Sequence, residues 1–130
     1  MSIARQVNAS PAAAPPSSLV KRFDTPERSV GFGDGRLDVI AIGGRMLGKG
    51  SFAPGWKWTP VAGLESTGFT GVVLSGRAKV KAKGGESADL TPGDFFTVKG
   101  DDECWVVGLR PCEILYVDGI ERLVEHTPGR

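Results

Sequence analysis

The chain has 130 residues, enough for one domain with a sizeable hydrophobic core. Its 19 glycines and 9 prolines are typical of a turn-rich β fold and argue against a helical bundle. The formal net charge of +1 creates no large electrostatic field, so the charge balance favours neither nucleic acid nor an anionic membrane surface as a partner.

The N-terminal stretch differs in composition from the rest of the chain. Residues 1–18 are mostly Ala, Ser and Pro, so we expect a disordered leader at 1–18 and one folded domain at 19–130. No apolar stretch has the length of a membrane span, and the N-terminus lacks the continuous apolar segment of a secretory signal. We therefore expect a cytoplasmic protein with no membrane partner.

Short alternating segments bounded by turn residues predict β-strands along the folded part. Leu19–Phe23 is predicted as an edge strand. The glycines of residues 31–35 resemble a phosphate loop, but an alternating strand follows them instead of a helix, so we interpret them as a loop. Further strands are predicted at 37–42, 45–49, 71–75, 78–83, 86–90, 95–98, 103–107 and 112–117, with a short helical turn at 120–124.

The two cysteines lie on segments predicted to be neighbouring strands around the turn Gly108–Pro111. If the turn pairs Gly108 with Pro111, Cys104 falls opposite Leu115, too far from Cys112 for a disulfide. We expect both cysteines to be reduced.

The stretch from Gly71 to Val98 carries a recognisable order of turns. V-L-S-G-R ends its first strand at Gly76, a short hairpin follows, and T-P-G-D at 91–94 precedes two aromatic residues. This arrangement resembles the central part of the cupin superfamily, and the resemblance covers roughly Gly44 to Asp118. It implies an all-β fold, namely a single-domain jelly-roll β-barrel of the cupin type.

A metal-dependent cupin holds its ion with two histidines and a carboxylate from a first motif and a histidine from a second. When the last glycine of the first motif is placed on Gly76, the carboxylate position falls on Phe69. The two histidine positions fall on Gly63 and Glu65, or one residue earlier with the longer spacing. The first motif therefore keeps none of its ligands.

The second motif has also lost its ligand. Placing its first glycine on Gly93 puts the histidine position on Cys104, and the only histidine, His126, lies in the C-terminal tail, where we expect it to be solvated. Glu65, Asp102 and Cys104 are the remaining candidate donors. They mix hard and soft ligands without an imidazole, so we expect no metal cofactor; a divalent-metal enzyme with these atypical ligands is the weaker alternative.

The motif register predicts that Glu65 and Cys104 point into one pocket, together with Asp102. Its predicted walls are aromatic, although the two tryptophans could equally fill the core. The site has two possible uses: binding a small organic molecule, or metal-independent isomerisation, cyclisation or elimination with Glu65 or Asp102 as general base. Cys104 lacks a histidine partner that would activate it as a nucleophile. The predicted wall residues are Trp56, Trp58, Phe69, Phe95 and Phe96.

Two of the predicted strands have outward faces of distinct character. Arg77, Lys79, Lys81 and Lys83 share one strand face with no aromatic residue interleaved, so we expect a solvated surface and no nucleic-acid partner. On the strand at 103–107, Trp105 and Val107 point outward. An apolar outward face needs cover, and we therefore expect a homodimer.

Overall fold

The computed structural model describes residues 19–126, with no side-chain description for Phe32 and His126. The predicted leader at 1–18 and the predicted environment of the His126 side chain lie outside the described residues. Within the described part of the chain, no helix has the length and apolar character needed to cross a membrane.

The described residues form β-strands and one short helix, which we number in chain order. The segments predicted as strands from residue 37 onward correspond to strands, with ends shifted by a few residues, and the predicted helical turn is part of a seven-residue helix. The elements are β1 (Arg28–Phe32), β2 (Gly35–Ile42), β3 (Arg45–Phe52), β4 (Gly68–Ser75), β5 (Arg77–Lys81), β6 (Ser87–Leu90), β7 (Phe95–Lys99), β8 (Glu103–Val107), β9 (Cys112–Asp118) and α1 (Ile120–His126).

The strands form two antiparallel sheets. The larger sheet has six strands in the order β1-β2-β3-β9-β4-β7, and the smaller has three in the order β6-β5-β8. The chain passes from one sheet to the other four times, namely between β4 and β5, β6 and β7, β7 and β8, and β8 and β9. This alternation wraps the chain around one core, and the all-β prediction is confirmed.

The N-terminal part of the domain differs from the prediction. Leu19–Phe23 is not a strand, and the first strand is β1, which pairs with β2 around the turn at Gly33. Gly31 therefore belongs to a strand and not to a loop. Leu19 is 84% exposed whereas Val30 of β1 is 1% exposed. Burial of Val30 therefore favours β1, and not Leu19–Phe23, as the strand that pairs with β2.

The predicted pairing around the Gly108–Pro111 turn is wrong. β8 pairs with β5 and β9 lies between β3 and β4, so Cys104 faces Val80 across the ladder and not Leu115. A turn between two apolar segments cannot show from sequence whether the strands pair or pass into different sheets. Both cysteines are nevertheless free, as predicted.

Two connected clusters make up the core. The first lies between the sheets and includes Phe52 and Ile114 from the larger sheet and Val106 from the smaller. The second joins the apolar side chains of α1 to residues of β2 and β4. Trp58 and Tyr116 contact both clusters. The helix thus packs against the larger sheet and belongs to the core.

Candidate functional site

A small cavity of about 40 Å³ lies where the two core clusters meet. Its volume corresponds to about three water-sized spheres. Apolar and aromatic side chains form most of its wall, and a lysine and an aspartate lie at its edge. The lining residues are Leu37, Phe52, Trp56, Trp58, Phe69, Val98, Lys99, Asp102, Cys104, Tyr116, Ile120 and Leu123.

The segment 56–58 supplies two of the walls because it lies against β8 like a short added strand. Trp58 N donates to Cys104 O at 2.8 Å, and Val106 N donates to Trp56 O at 2.9 Å. Residues at i and i+2 of an extended segment share one face, so both tryptophans point to the interior. The sequence left open whether the two tryptophans form a pocket wall or fill the core. In the structure their rings do both, since they line the cavity and also pack in the core.

Aromatic contacts fix the two indoles. Trp56 stacks on Phe52 with ring centroids 4.1 Å apart. Trp58 lies 6.2 Å from Phe69, and its Nε1–H donates to Gly100 O at 2.9 Å. The wall on this side of the cavity is therefore held in place by both packing and a hydrogen bond.

Tyr116 is a wall residue that the sequence analysis missed. It lies in β9, and its partners on both neighbouring strands, Gly48 and Gly71, are glycines. Gly71 leaves room for the ring over the sheet, since a Cβ atom there would come 3.2 Å from Cδ1 of the tyrosine. Burial, with smaller effects from Cys104 and Cys112, raises the pKa of the hydroxyl well above its ordinary 10.0.

The Tyr116 hydroxyl has no hydrogen bond to any residue of the described range 19–126. Tyr116 is partly buried, and a tyrosine hydroxyl withdrawn from solvent usually has a partner, because desolvating it without one is costly. Its ring meets Phe96 edge-to-face, with centroids 6.2 Å apart. Tyr116 therefore presents an unused donor and acceptor in a wall that is otherwise mostly apolar.

The cavity thiol is unreactive. Burial, with a smaller effect from Cys112, raises the pKa of Cys104 from 9.0 to about 12. Burial, with a smaller effect from Glu113, likewise raises the pKa of Cys112 to about 11. Since the thiolate is the nucleophile, the buried Cys104 thiol is a poor nucleophile at neutral pH.

Asp102 reaches the cavity edge, but its carboxylate is already occupied. Oδ1 accepts the backbone N–H of Lys83 at 2.9 Å, and Oδ2 accepts that of Lys99 at 2.8 Å. The side chain thereby joins the β5–β6 turn to the β7–β8 turn. This geometry is typical of a carboxylate that holds loops together.

Glu65 does not point into the cavity, so the predicted inward orientation is wrong. It is exposed, and its Oε1 accepts the backbone N–H of Gly63 at 3.0 Å. β4 begins only at Gly68, so strand alternation cannot be extended back to position 65. Within this preceding turn region, Leu64 is the residue that is buried.

The two phenylalanines of β7 also differ from the prediction. Phe96 is buried in the first core cluster but does not line the cavity, and Phe95 is 71% exposed. Consecutive strand residues point to opposite faces, so they could not both have formed a wall.

The residues at the family's ligand positions do not fit a metal ion. Phe69 is apolar, Glu65 is exposed, and Cys104 is a neutral thiol. Within residues 19–126, no three His, Cys, Asp or Glu side chains come together as a possible ligand group. We derive no chemistry through a metal.

No family model and no curated protein matches the chain. Solved structures do. Ectoine synthase from P. lautus is 14% identical over 86% of this chain and 89% of its own, with a TM-score of 0.58. KdgF from Halomonas sp. is 18% identical over 78% and 94%, with a TM-score of 0.56. A double-stranded β-helix protein from Klebsiella pneumoniae is 20% identical over 65% and 76%, with a TM-score of 0.52.

This chain has the cupin fold. The fold class predicted from the turns between Gly71 and Val98 is thereby confirmed. At these identities the similarity concerns the cupin fold alone, and one fold supports many functions. The function must be argued from the cavity.

Proposed function

We propose that this protein binds a small, uncharged organic molecule in the interior of its cupin fold, without a metal ion. The observation that carries the proposal is the Tyr116 hydroxyl, which has no hydrogen bond within the described residues and belongs to a cavity wall. A ligand with one polar atom would satisfy that hydroxyl, and its apolar part would contact the aromatic rings.

The wall favours a neutral ligand. Cys104 and Tyr116 are both uncharged at neutral pH, and burial raises their pKa values further. Lys99 and Asp102 are the charged groups of the wall, and Asp102 already accepts two backbone N–H groups. A buried ion without a partner would be strongly destabilised here.

The cavity volume limits the ligand. About 40 Å³ accommodates only a few non-hydrogen atoms. Ile120 and Leu123 of α1 form part of the wall, so a larger ligand requires this helix to move outward. Such a movement would break few strand hydrogen bonds, because α1 belongs to neither sheet.

Binding is favoured over catalysis because none of the three predicted catalytic residues is poised as an acid, base or nucleophile. Glu65 lies outside the wall, Asp102 joins two turns, and the Cys104 thiol is protonated. No observation favours the metal-independent isomerase or lyase. The two free thiols accord with a reducing compartment, and we propose the cytoplasm.

Ligand-observed NMR with isopropanol, cyclohexanol and phenol tests the proposal. We expect saturation transfer from the wild-type protein to at least one of these probes. Tyr116→Phe removes a single hydrogen bond and should weaken that probe's affinity by about two- to tenfold. Phe95→Leu changes an exposed aromatic residue away from the cavity and should leave the affinity unchanged.

A second variant tests whether the size of the cavity limits which probes bind. Leu123→Ala removes wall atoms on α1 and should admit the larger probes more readily than the wild type does. If no probe binds to the wild type or to Leu123→Ala, or if Tyr116→Phe binds as well as the wild type, the proposed function is wrong.

A further inference from the structure

The outer face of the smaller sheet places an aromatic ring among cations. Cys104 and Val106 are buried, so Trp105 between them points outward. In the ladder Trp105 faces Lys79 of β5, and an isolated bridge pairs it with Lys57 on its other side. The expectation that no aromatic residue is interleaved with the β5 cations is therefore wrong.

The remaining β5 cations extend this row along the strand. Arg77, Lys79 and Lys81 alternate along β5 with Ala78, which is buried, so all three cations share the outward face. Arg77 and Lys81 lie diagonally from Trp105, since their partners are Val107 and Glu103. Same-face residues are about 6.7 Å apart along a strand, and adjacent strands are about 4.8 Å apart. The cations thus surround the indole at side-chain reach. We call this the Trp105 face: Lys57, Arg77, Lys79, Lys81 and Trp105.

Most of these cations lack an ionic partner. Within residues 19–126, no ion pair is found for Lys57, Arg77 or Lys81. Lys79 lies 3.5 Å from Asp89, whose side chain is 78% exposed, and a pair so exposed is weak. Asp89 and Glu103 are the carboxylates on this part of the sheet, so positive charge is in excess locally although the whole chain is nearly neutral.

We propose that the Trp105 face binds single-stranded nucleic acid. A base can stack on a partly exposed indole whatever its sequence, and the flanking cations are placed to neutralise phosphates on both sides of it. A duplex offers no unstacked base to Trp105 and so lacks the stacking contribution. The site lies on the outside of the smaller sheet, whereas the proposed ligand cavity lies inside, so either can be present without the other.

The test is fluorescence anisotropy with a fluorescein-labelled oligodeoxythymidine of about 12 nucleotides, within the usual range of single-strand sites. We expect binding at ~50 mM NaCl that weakens at ~200 mM, with about 0.7 units of logarithmic salt slope for each phosphate contact. Trp105→Ala should weaken binding by about fivefold or more. Lys57→Glu should weaken it and reduce the salt slope.

Matched controls make the test specific. Arg45→Glu makes the same kind of charge change at an exposed position of the larger sheet, and Phe95→Ala removes an exposed aromatic residue from that sheet. Both should bind as the wild type does. Circular dichroism of each variant establishes that it is folded, and Lys57→Glu keeps the proposal testable if Trp105→Ala does not fold.

Four outcomes would overturn the proposal. The wild type does not bind the strand at ~50 mM salt; Arg45→Glu weakens binding as much as Lys57→Glu; thymidine monophosphate or a duplex binds as tightly as the strand; or sedimentation shows that Trp105→Ala converts a dimer to a monomer. In the last case the Trp105 face is buried between two copies of the chain. None of these results bears on ligand binding in the cavity, whose probes are tested separately.

Discussion

Tyr116 lies opposite Gly71 in the register of β9 and β4, and a Cβ atom on Gly71 would come 3.2 Å from Cδ1 of the tyrosine ring. The same atom would lie 2.9 Å from Leu115 O and 3.1 Å from Cγ2 of Ile114. The cavity wall formed by Tyr116 therefore depends on a glycine in the adjacent strand.

This relationship predicts the effect of filling the space. Gly71→Ala should lower the free energy of unfolding by about 1–3 kcal/mol, because backbone and side chains must both shift to admit the methyl group. Urea denaturation followed by tryptophan fluorescence measures the change. Gly31→Ala in β1 is the control, since its Cβ would meet nothing within 4 Å, and its effect should stay within about 0.5 kcal/mol. Equal effects of the two substitutions would contradict the packing argument.

Stability should fall at alkaline pH. Cys104 has a folded-state pKa of about 12 against an ordinary 9.0, so the folded state favours the protonated thiol. Its contribution is complete below pH 9 and is lost progressively between pH 9 and pH 12. Relative to neutral pH, the loss from this group should be about 1.4 kcal/mol at pH 10.

Urea titrations at several pH values between 7 and 10 measure this loss. The Cys104→Ala variant should show a smaller fall over the same interval, because the titrating thiol is gone. A residual slope is expected from Cys112, whose pKa burial also raises. If Cys104→Ala loses as much stability as the wild type, the thiol is not responsible.

Removal of metal should leave the protein unchanged. The ligand positions carry an apolar side chain at Phe69 and a protonated thiol at Cys104, so neither supplies a strong donor. We expect no stoichiometric zinc, iron or manganese by elemental analysis, and the same Tm with and without EDTA. Stoichiometric metal with a chelator-sensitive melt would contradict this, and Glu65→Gln, Asp102→Asn and Cys104→Ser would then identify the ligands.

We propose that the interface of the predicted homodimer is the outer face of the larger sheet and not the surface around Trp105. On that face Leu74 of β4 is 44% exposed and Phe95 of β7 is 71% exposed. Val72, two residues before Leu74, pairs with Phe95 on one side and with Leu115 of β9 on the other. A continuous apolar row of this kind needs cover, and a second copy can supply the same row across a two-fold axis.

Sedimentation equilibrium tests that arrangement. The wild type should have twice the monomer mass, and Phe95→Ser should shift the population toward the monomer. Leu109→Ser replaces another exposed apolar residue, at 95% exposure in the β8–β9 turn, and should not change the mass. A monomeric wild type, or equal effects of the two variants, would count against a dimer through this face.

Local patterns were sufficient for much of the fold. Alternation from Gly71 to Val98 and the turn order between its segments predicted the strands and the cupin fold, because the face on which a strand residue lies depends on its immediate neighbours. The same alternation correctly placed Trp56, Trp58 and Cys104 inside. It failed at Glu65, where the chain forms turns and the two-residue period does not apply.

The tertiary structure alone decided which strands become neighbours, and the candidate sites depend on those pairings. Gly71 looks like a weak strand position in the sequence, but the register places it opposite Tyr116, where the absence of a side chain makes room for the ring. Trp105 comes to lie beside Lys79 only because β8 pairs with β5 and not with β9. Alternation specifies the face of a residue and leaves its partner across the sheet open, because that partner is chosen by long-range packing of the whole core.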